Sequence, residues 1–244
     1  MATAQKFSVV LPLHNEEGNL RELHSRLQAV FEGLGNPYEI IFVDDASTDE
    51  SFETLRDINA NNPFVRVIRF KENRGESAGL AAGFKAARGE IIIAMDADLQ
   101  CEPGEIPGLI EKLKDYDVVW GLRADRQDDL TRNVLSWGGN FVRRVLIGDT
   151  AADAGSPLRA MKKEVTRKVR LFKGLHRFYP TLCRMEGFSV VEIPITHYPR
   201  KHGQSKYNIR NRLFKYMVDL IAVKWMHNRY IDYEIIEELD ERIS

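Results

Sequence analysis

Short apolar runs alternate with longer amphipathic segments through the first half of the chain. The run Ile91-Ile92-Ile93-Ala94-Met95 has no polar position, which is typical of a strand buried on both faces of a sheet. Similar runs occur at 7–12, 39–43, 64–70 and 117–121. The segments between them carry apolar residues three or four positions apart, as amphipathic helices do. The alternation predicts an α/β fold with a single, mostly parallel sheet and helices on both faces.

Acidic residues follow three of these strands. Glu16 and Glu17 come after the first, Asp44 and Asp45 end the second, and Asp96 and Asp98 follow the fourth. Parallel strands place their carboxyl ends along one edge, so we expect the three clusters to converge. If the extended backbone continues, Asp96 and Asp98 share a face, and their hard oxygen donors suit Mg²⁺ or Mn²⁺. An isolated Asp-x-Asp is more often a polar turn, but three clusters on one edge favour a site.

Local signals also predict how the intervening helices begin and pack. Asn15 is placed to cap the first helix, and Ser47 with Glu50 has the spacing of a capping box for the second. Glycines at 75, 79 and 83 lie four apart, which predicts close packing of a helix on the sheet. They do not form the Gly-x-Gly-x-x-Gly pattern of a dinucleotide site.

The second half of the chain is more varied. A helix is predicted at about 130–147, with Arg132 and Ser136 on one face, and an edge strand at 189–196. The basic loop 197–207 is either an anion clamp or an exposed surface loop. A long helix from Ile209 carries an apolar stripe and Trp225 among basic residues. It could pack on the domain, on a second subunit or in a membrane interface.

Composition narrows the class of protein. The chain has 244 residues, 43% hydrophobic, and a net charge of −1, which fits one large domain and argues against a nucleic-acid binder. We expect a catalytic domain at 1–208 and a helical extension at 209–244. Two cysteines outside any Cys-x-x-Cys pair suggest no zinc site or disulfide framework. No apolar run approaches the roughly 20 residues of a membrane span, so a soluble or peripheral protein is expected.

Three motifs together resemble glycosyltransferase family 2, which has the GT-A fold with a Rossmann-like sheet. They are the stretches 10–17 (VLPLHNEE), 43–49 (VDDASTD) and 96–100 (DADLQ). The chain is most similar to the dolichol-phosphate mannose synthase-like subgroup. The resemblance implies transfer of a sugar from a GDP- or UDP-linked donor to a polyprenyl phosphate, with Mg²⁺ or Mn²⁺. It also implies a peripheral enzyme on the cytoplasmic face of a membrane, with possible self-association through the C-terminal helix.

The resemblance assigns roles to matching positions. The residues implied to hold the metal are Asp96, Asp98 and Gln100. Those implied to line the donor nucleotide and its sugar-diphosphate are Pro12, His14, Glu16, Asp44, Asp45 and Ala97. The acceptor phosphate is assigned to Arg123, Arg132 and Ser136, which with Asp98 form the catalytic set. Closure over the diphosphate is assigned to Arg200 and Lys206. At His14 the family more often has Tyr, and 73–79 differs from the mannose-synthase version, so base and sugar stay open.

The acceptor class has a separate physical argument. A hydroxyl nucleophile needs a general base, which family 2 enzymes of that type usually draw from a late acidic pair. The corresponding segment here, 175–180, contains no acidic residue. A phosphate monoester is already anionic at neutral pH, since its second pKa is about 6, and arginines recognise it well. A family 2 transferase acting on a hydroxyl, and a non-catalytic nucleotide-binding scaffold, are the alternatives.

Overall fold

The computed structural model describes residues 5–123, 143–144, 146–147, 155–198 and 209–231. Seven strands form one sheet in the order β3-β2-β1-β4-β6-β5-β7. Their bounds are β1 Phe7–Leu13, β2 Tyr38–Asp44, β3 Val65–Arg69, β4 Ile91–Met95, β5 Val118–Arg123, β6 Leu158–Lys162 and β7 Val190–Ile195. Only β6 among them runs antiparallel to its neighbours. The predicted α/β class with a mostly parallel sheet is confirmed.

Seven helices accompany the sheet in the described ranges. They are α1 Glu17–Leu34, α2 Ser51–Asn61, α3 Glu76–Ala86, α4 Ile106–Lys112, α5 Lys163–Lys168, α6 Tyr179–Met185 and α7 Ile209–Asn228. Residues 143–144 and 146–147 are also helical, and single 3-10 turns occupy Pro103–Glu105 and Leu175–Phe178. Two apolar clusters cover the two faces of the sheet. Helices α1, α2 and α4 pack on one face, and α3, α5, α6 and α7 pack on the other.

The glycines of α3 explain how closely this helix lies on the sheet. A Cβ atom added at Gly79 would lie 2.7 Å from Pro12 Cβ, and one at Gly83 would overlap the side chain of Val10. Real Cβ atoms do not approach other carbon atoms so closely, so only glycine permits this spacing. The predicted close helix–sheet packing is confirmed, and it fixes where α3 begins relative to the ends of β1 and β2.

Strand β6 joins the two halves of the sheet. It pairs antiparallel with β4 on one side and with β5 on the other, so that Arg159 lies beside Ala94 and Trp120. The central position of β6 brings a charged residue into the interior. Strand β7 lies at the sheet edge, as predicted, and carries Pro194 there.

Helix α7 packs one side on the domain and leaves another side exposed. Leu220 and Val223 are buried in the second apolar cluster, whereas Val218, Ile221 and Trp225 are exposed. None of the described helices combines the length and the apolar character that crossing a membrane requires.

Candidate active site

The acidic clusters converge as predicted, because their strands are parallel neighbours. Strand β1 lies between β2 and β4, with Leu13 opposite Asp44 in the first pair. The loops that follow β1, β2 and β4 therefore lie at one edge of the sheet. This edge is where open α/β sheets bind their ligands.

The loops after β1 and β2 are joined by hydrogen bonds from backbone N–H groups of each loop to polar side chains of the other. The Asn15 backbone N–H donates to Ser47 Oγ at 2.9 Å, and Thr48 N–H donates to Asn15 Oδ1 at 2.8 Å. The Glu50 N–H donates to Glu17 Oε2 at 2.7 Å. These bonds bind the two loops into one unit, which forms one wall of the edge.

The same bonds correct the predicted helix caps. Helices α1 and α2 begin after Glu16 and Glu50, and neither has a side-chain cap hydrogen bond. Asn15 instead adopts a left-handed backbone with φ of 61° and uses its side chain on the neighbouring loop. The capping predictions were wrong because a partner across the loop competes with the local N–H groups for the same side-chain oxygens.

The carboxylates of Asp44 and Asp45 bind neighbouring groups of the protein itself. Asp44 is fully buried, with Oδ1 accepting the Ser47 N–H at 3.0 Å and Oδ2 lying 3.3 Å from Arg69 Nε. The two carboxylate oxygens of Asp45 accept the backbone N–H groups of Arg74 and Gly75, each at 2.7 Å. Asp45 therefore fixes the turn from which α3 begins.

The backbone of Asp45 contacts His14, a further residue of the predicted donor site. The Asp45 carbonyl oxygen lies 3.0 Å from Nδ1 of His14. Pro12 is buried under α3, and Glu16 Oε2 accepts a hydrogen bond from Asn19 Nδ2 at 2.7 Å. The structure thus brings these three residues to the same edge, although it leaves their contacts with a nucleotide a prediction.

The turn after β4 positions the two central aspartates. The strand ends at Met95, and Leu99 has a left-handed φ of 56°, so the condition for Asp96 and Asp98 to share a face, a continued extended backbone, is not met. A tight turn replaces it, in which Asp98 Oδ1 accepts the Gln100 N–H at 3.1 Å. The Asp96 N–H donates to the Pro157 carbonyl at 3.0 Å, which attaches the turn to the chain entering β6. Ala97 is buried between the two aspartates.

Carboxylates and arginines lie around Asp96 and shift its pKa in opposite directions. Burial raises the pKa of Asp96 well above its usual range, and the nearby carboxylates of Glu76 and Asp98 raise it further. Arg159 and Arg123 oppose this pKa shift. Arg123, at the end of β5, thus lies close enough to Asp96 to act on its pKa, and its role towards an acceptor phosphate stays a prediction. A divalent cation would relieve the same repulsion, so the donor set fits a hard metal.

The described His, Cys, Asp and Glu side chains do not by themselves form a full set of metal ligands. Within the described ranges, no group of three or more His, Cys, Asp or Glu side chains is arranged to hold a metal ion. The Gln100 amide nitrogen donates to the Tyr198 carbonyl at 3.3 Å, which leaves its amide oxygen as the group that could reach a cation. Burial, with Asp96 and Asp98 nearby, raises the pKa of Cys101 to about 12, so its thiol stays protonated.

Arg159, Glu76 and His176 belong to this edge but were not identified from the sequence. Arg159 is 3% exposed, lies over the Trp120 ring at 4.9 Å, and has a guanidinium nitrogen 3.7 Å from Glu76. His176 Nε2 lies 3.3 Å from Glu76, and its Nδ1 lies 2.8 Å from Ser77 Oγ. The signal in the sequence was a single arginine inside an apolar strand, which requires a nearby charge partner.

Four predicted site residues lie outside the described residues: Arg132, Ser136, Arg200 and Lys206. Their proposed contacts with acceptor and donor therefore stay predictions. The described part of the chain that precedes each of these two gaps ends near the acidic turn. Arg123 precedes the first gap, and Tyr198, whose N–H donates to the Gln100 carbonyl at 2.8 Å, precedes the second.

Comparison with known proteins identifies relatives of this arrangement. Residues 8–170 match the family model described as glycosyl transferase family 2. The undecaprenyl-phosphate 4-deoxy-4-formamido-L-arabinose transferase of Edwardsiella ictaluri is 38% identical over 223 residues, 90% of this chain and 68% of the relative. A dodecaprenyl-phosphate galacturonate synthase of Rhizobium johnstonii is 32% identical over 224 residues, 89% of this chain and 66% of the relative. The chain spans about two thirds of the length of these relatives.

Solved structures of low sequence identity have the same fold. A Pyrobaculum calidifontis mannosyltransferase in complex with GDP-Man and Mn²⁺ has a TM-score of 0.63 at 20% identity, covering 91% of this chain and 64% of its own. Glucosyl-3-phosphoglycerate synthase of Mycobacterium tuberculosis, with Mn²⁺, UDP and phosphoglyceric acid, has a TM-score of 0.66 at 18% identity, covering 93% and 80%. The fold is GT-A, and with the extent of the family match the chain belongs to glycosyltransferase family 2.

Proposed function

We propose that the protein transfers a sugar from a nucleotide-sugar to the phosphate of a polyprenyl phosphate, with inversion at the anomeric carbon. The observation that carries the proposal is the pairing, at one sheet edge, of the acidic turn Asp96–Asp98 with Arg123. Carboxylates suit a metal-bound diphosphate, and an arginine suits an anionic acceptor. The names of the two polyprenyl-phosphate relatives support the same acceptor class.

On the donor side, Asp96, Asp98 and Gln100 would hold Mg²⁺ or Mn²⁺. When bound, this ion supplies positive charge to the diphosphate leaving group. The loops carrying His14, Asp44 and Asp45 would border the base and ribose, with Pro12, Glu16 and Ala97 completing the wall. The base is open between uracil and guanine, so UDP- and GDP-linked donors are both candidates. Arg200 and Lys206 would close over the diphosphate.

On the acceptor side, an oxygen of the lipid phosphate attacks the anomeric carbon. The new carbon–oxygen bond forms as the bond to the diphosphate breaks, and the electron pair leaves with the nucleoside diphosphate. No proton needs to be removed, because the phosphate is already ionised at neutral pH. Arg123, with Arg132 and Ser136, would orient the phosphate and shield its charge from the acidic turn.

The arrangement of His176 supports a phosphate acceptor over a hydroxyl acceptor. This residue lies in the segment where a general base would be expected, but its two ring nitrogens face Glu76 and Ser77 at 3.3 Å and 2.8 Å. The Ser77 hydroxyl also accepts the Gly174 N–H at 3.2 Å. The ring thus braces α3 against the turn at 174–178, an arrangement poorly suited to removing a proton from a substrate.

A lipid acceptor places the protein at a membrane, as a peripheral protein on the cytoplasmic face. The exposed residues Val218, Ile221 and Trp225 of α7 form a stripe suited to the membrane interface. The same stripe could join two copies of the chain.

The test is transfer of radiolabel from UDP- and GDP-sugars to an organic-soluble polyprenyl phosphate, with and without Mn²⁺. Asp98→Asn is expected to lower transfer at least about 100-fold, because one charged donor to the metal is lost. Arg123→Gln is expected to raise KM for the lipid phosphate more than KM for the donor. Arg21→Gln, an exposed change on α1, serves as the control. Full transfer by Asp98→Asn, or label moving to a sugar hydroxyl without any lipid phosphate, would refute the proposal.

A further inference from the structure

A basic groove lies on the α3–α5 face of the domain, away from the acidic edge. It has a volume of about 540 Å³ and is lined by α3, α5 and the chain that follows α5. Its cationic residues are Lys85, Lys163, Arg167 and Arg170, and its apolar residues include Phe84 and Phe172. A local concentration of cations is notable in a chain whose net charge is −1.

The cations of the groove are available to an external anion. Lys85, Arg167 and Arg170 are exposed, and none of the ion pairs among the described residues involves them. Lys163 donates to the Arg88 carbonyl at 3.0 Å, which neutralises none of its charge. Neighbouring Lys168, by contrast, pairs with Glu164 at 2.9 Å. The charges therefore serve no ion pair within the described structure.

The groove is too far from the acidic turn to hold the reacting phosphate. Helix α3 begins at Glu76, beside Asp96, and runs antiparallel to the strands to Ala86. Its 11 residues span about 15 Å at 1.5 Å per residue. Lys85 and Phe84 lie at the far end of this helix. An anion in the groove would occupy a second site, separate from the acceptor phosphate.

The groove includes an exposed aromatic side chain. Phe172, which lines it, is 54% exposed. The groove thus combines an exposed aromatic ring with cations that form no ion pair among the described residues, the chemistry with which proteins bind an anionic bilayer.

We propose that the groove binds the headgroups of anionic phospholipids and docks this face of the domain on a membrane, with Phe172 entering the interface. The proposal rests on the proposed function, because a lipid-linked acceptor requires the enzyme to work at a bilayer. It adds a lipid site that takes no part in the chemistry and sets the orientation of the acidic edge relative to the membrane surface.

The test measures sedimentation of the full chain with vesicles of phosphatidylcholine, with and without phosphatidylglycerol. Arg167→Gln with Arg170→Gln is expected to lower partition onto the anionic vesicles about 25-fold, because each cation near the surface contributes about fivefold. The control is Lys112→Gln at the end of α4 with Lys114→Gln just after it, two exposed cations on the opposite face of the sheet, of which Lys114 pairs with Glu111. Unchanged thermal midpoints show that both variants fold.

Several outcomes separate the possibilities. Equal loss in the control, equal binding to neutral vesicles, or no loss in the groove variant would overturn the proposal. A groove that binds free phosphate only would also overturn it. In that case inorganic phosphate would bind the wild type more tightly than the groove variant, and neither protein would bind vesicles. Transfer to a detergent-dispersed polyprenyl phosphate should survive in the groove variant. If wild-type transfer fails while anionic vesicles still bind, the proposed reaction is refuted and the lipid site stands.

Discussion

Asp45 offers the sharpest test of how the acidic edge is built. Its carboxylate is 5% exposed and accepts two backbone N–H groups, those of Arg74 and Gly75, at 2.7 Å each. Replacing Asp45 with Asn keeps one acceptor oxygen and turns an NH₂ group towards the other N–H. The perturbation therefore removes one charge-assisted hydrogen bond and sets two donors against each other, with almost no change in volume.

The magnitude follows from the partners. A hydrogen bond to a charged group contributes about 1.5–3 kcal/mol, and a buried N–H left without an acceptor costs a similar amount. Because the two N–H groups are only partly buried, we expect the free energy of unfolding to fall by about 2 kcal/mol. In a chain of this size that corresponds to a fall in Tm of about 4–8 °C.

Urea denaturation and nucleotide binding, measured side by side, give the assay. Asp45→Asn should lower stability and weaken nucleotide binding together, because the turn that starts α3 moves. Asp57→Asn, which removes an exposed charge paired with Arg21, should change stability by less than about 0.5 kcal/mol. If Asp45→Asn keeps wild-type stability and only nucleotide affinity falls, Asp45 contacts the ligand directly and the reasoning is refuted.

Three further predictions concern packing, acid stability and metal binding. Gly79→Ala should destabilise the protein by about 1–3 kcal/mol in urea denaturation, because the new Cβ meets Pro12. Gly108→Ala in α4, where a Cβ would have no atom within 4 Å, should stabilise it by about 0.5–1 kcal/mol. Equal effects of the two changes would contradict the packing of α3. Hydrogen bonds, the largest from Lys162, lower the pKa of Asp117 to about 2. Its contribution of about 1 kcal/mol to the free energy of unfolding should therefore be complete above pH 4 and disappear as pH falls through 2. Asp117→Asn should flatten the acid unfolding curve in this range, and an unchanged curve would contradict the prediction. In the wild type, Mn²⁺ with UDP or GDP, the nucleotide at about 100 times its Kd, should raise Tm by about 5–10 °C, and EDTA should reverse the shift. Asp98→Asn should show no such shift. An equal shift in both proteins would exclude Asp98 as a metal ligand.

The sequence predicted the strands and the acidic edge because both follow from short-range patterns. Short runs rich in apolar residues identified β1 to β5, and parallel pairing then required the acidic residues after β1, β2 and β4 to meet. The glycines of α3 were also informative, since spacing of four predicts one face of a helix, and that face lies on Pro12 and Val10. These inferences needed no knowledge of long-range partners.

Other features depended on such partners and were missed or wrong. Asn15 and Ser47 have the local signature of helix caps, but each found a better partner on the adjacent loop. A polar turn was the alternative considered for Asp96 and Asp98, but its conformation was not predicted, since nothing in the composition of 96–100 marks Leu99 for a left-handed backbone. Arg159 was overlooked because its significance arises only when β6 pairs between β4 and β5.

The central position of β6 has a consequence for biosynthesis. As the ribosome releases the chain, β1 to β4 and the acidic turn emerge well before residues 157–162, yet Arg159, the first of the two arginines that lower the pKa of Asp96, and the Pro157 carbonyl that accepts its N–H belong to that later segment. A nascent chain stopped short of β6 would have its carboxylates without Arg159 and without the bond to Pro157. Competence to bind a donor should therefore arise late in synthesis and all at once, rather than growing with the length of the sheet.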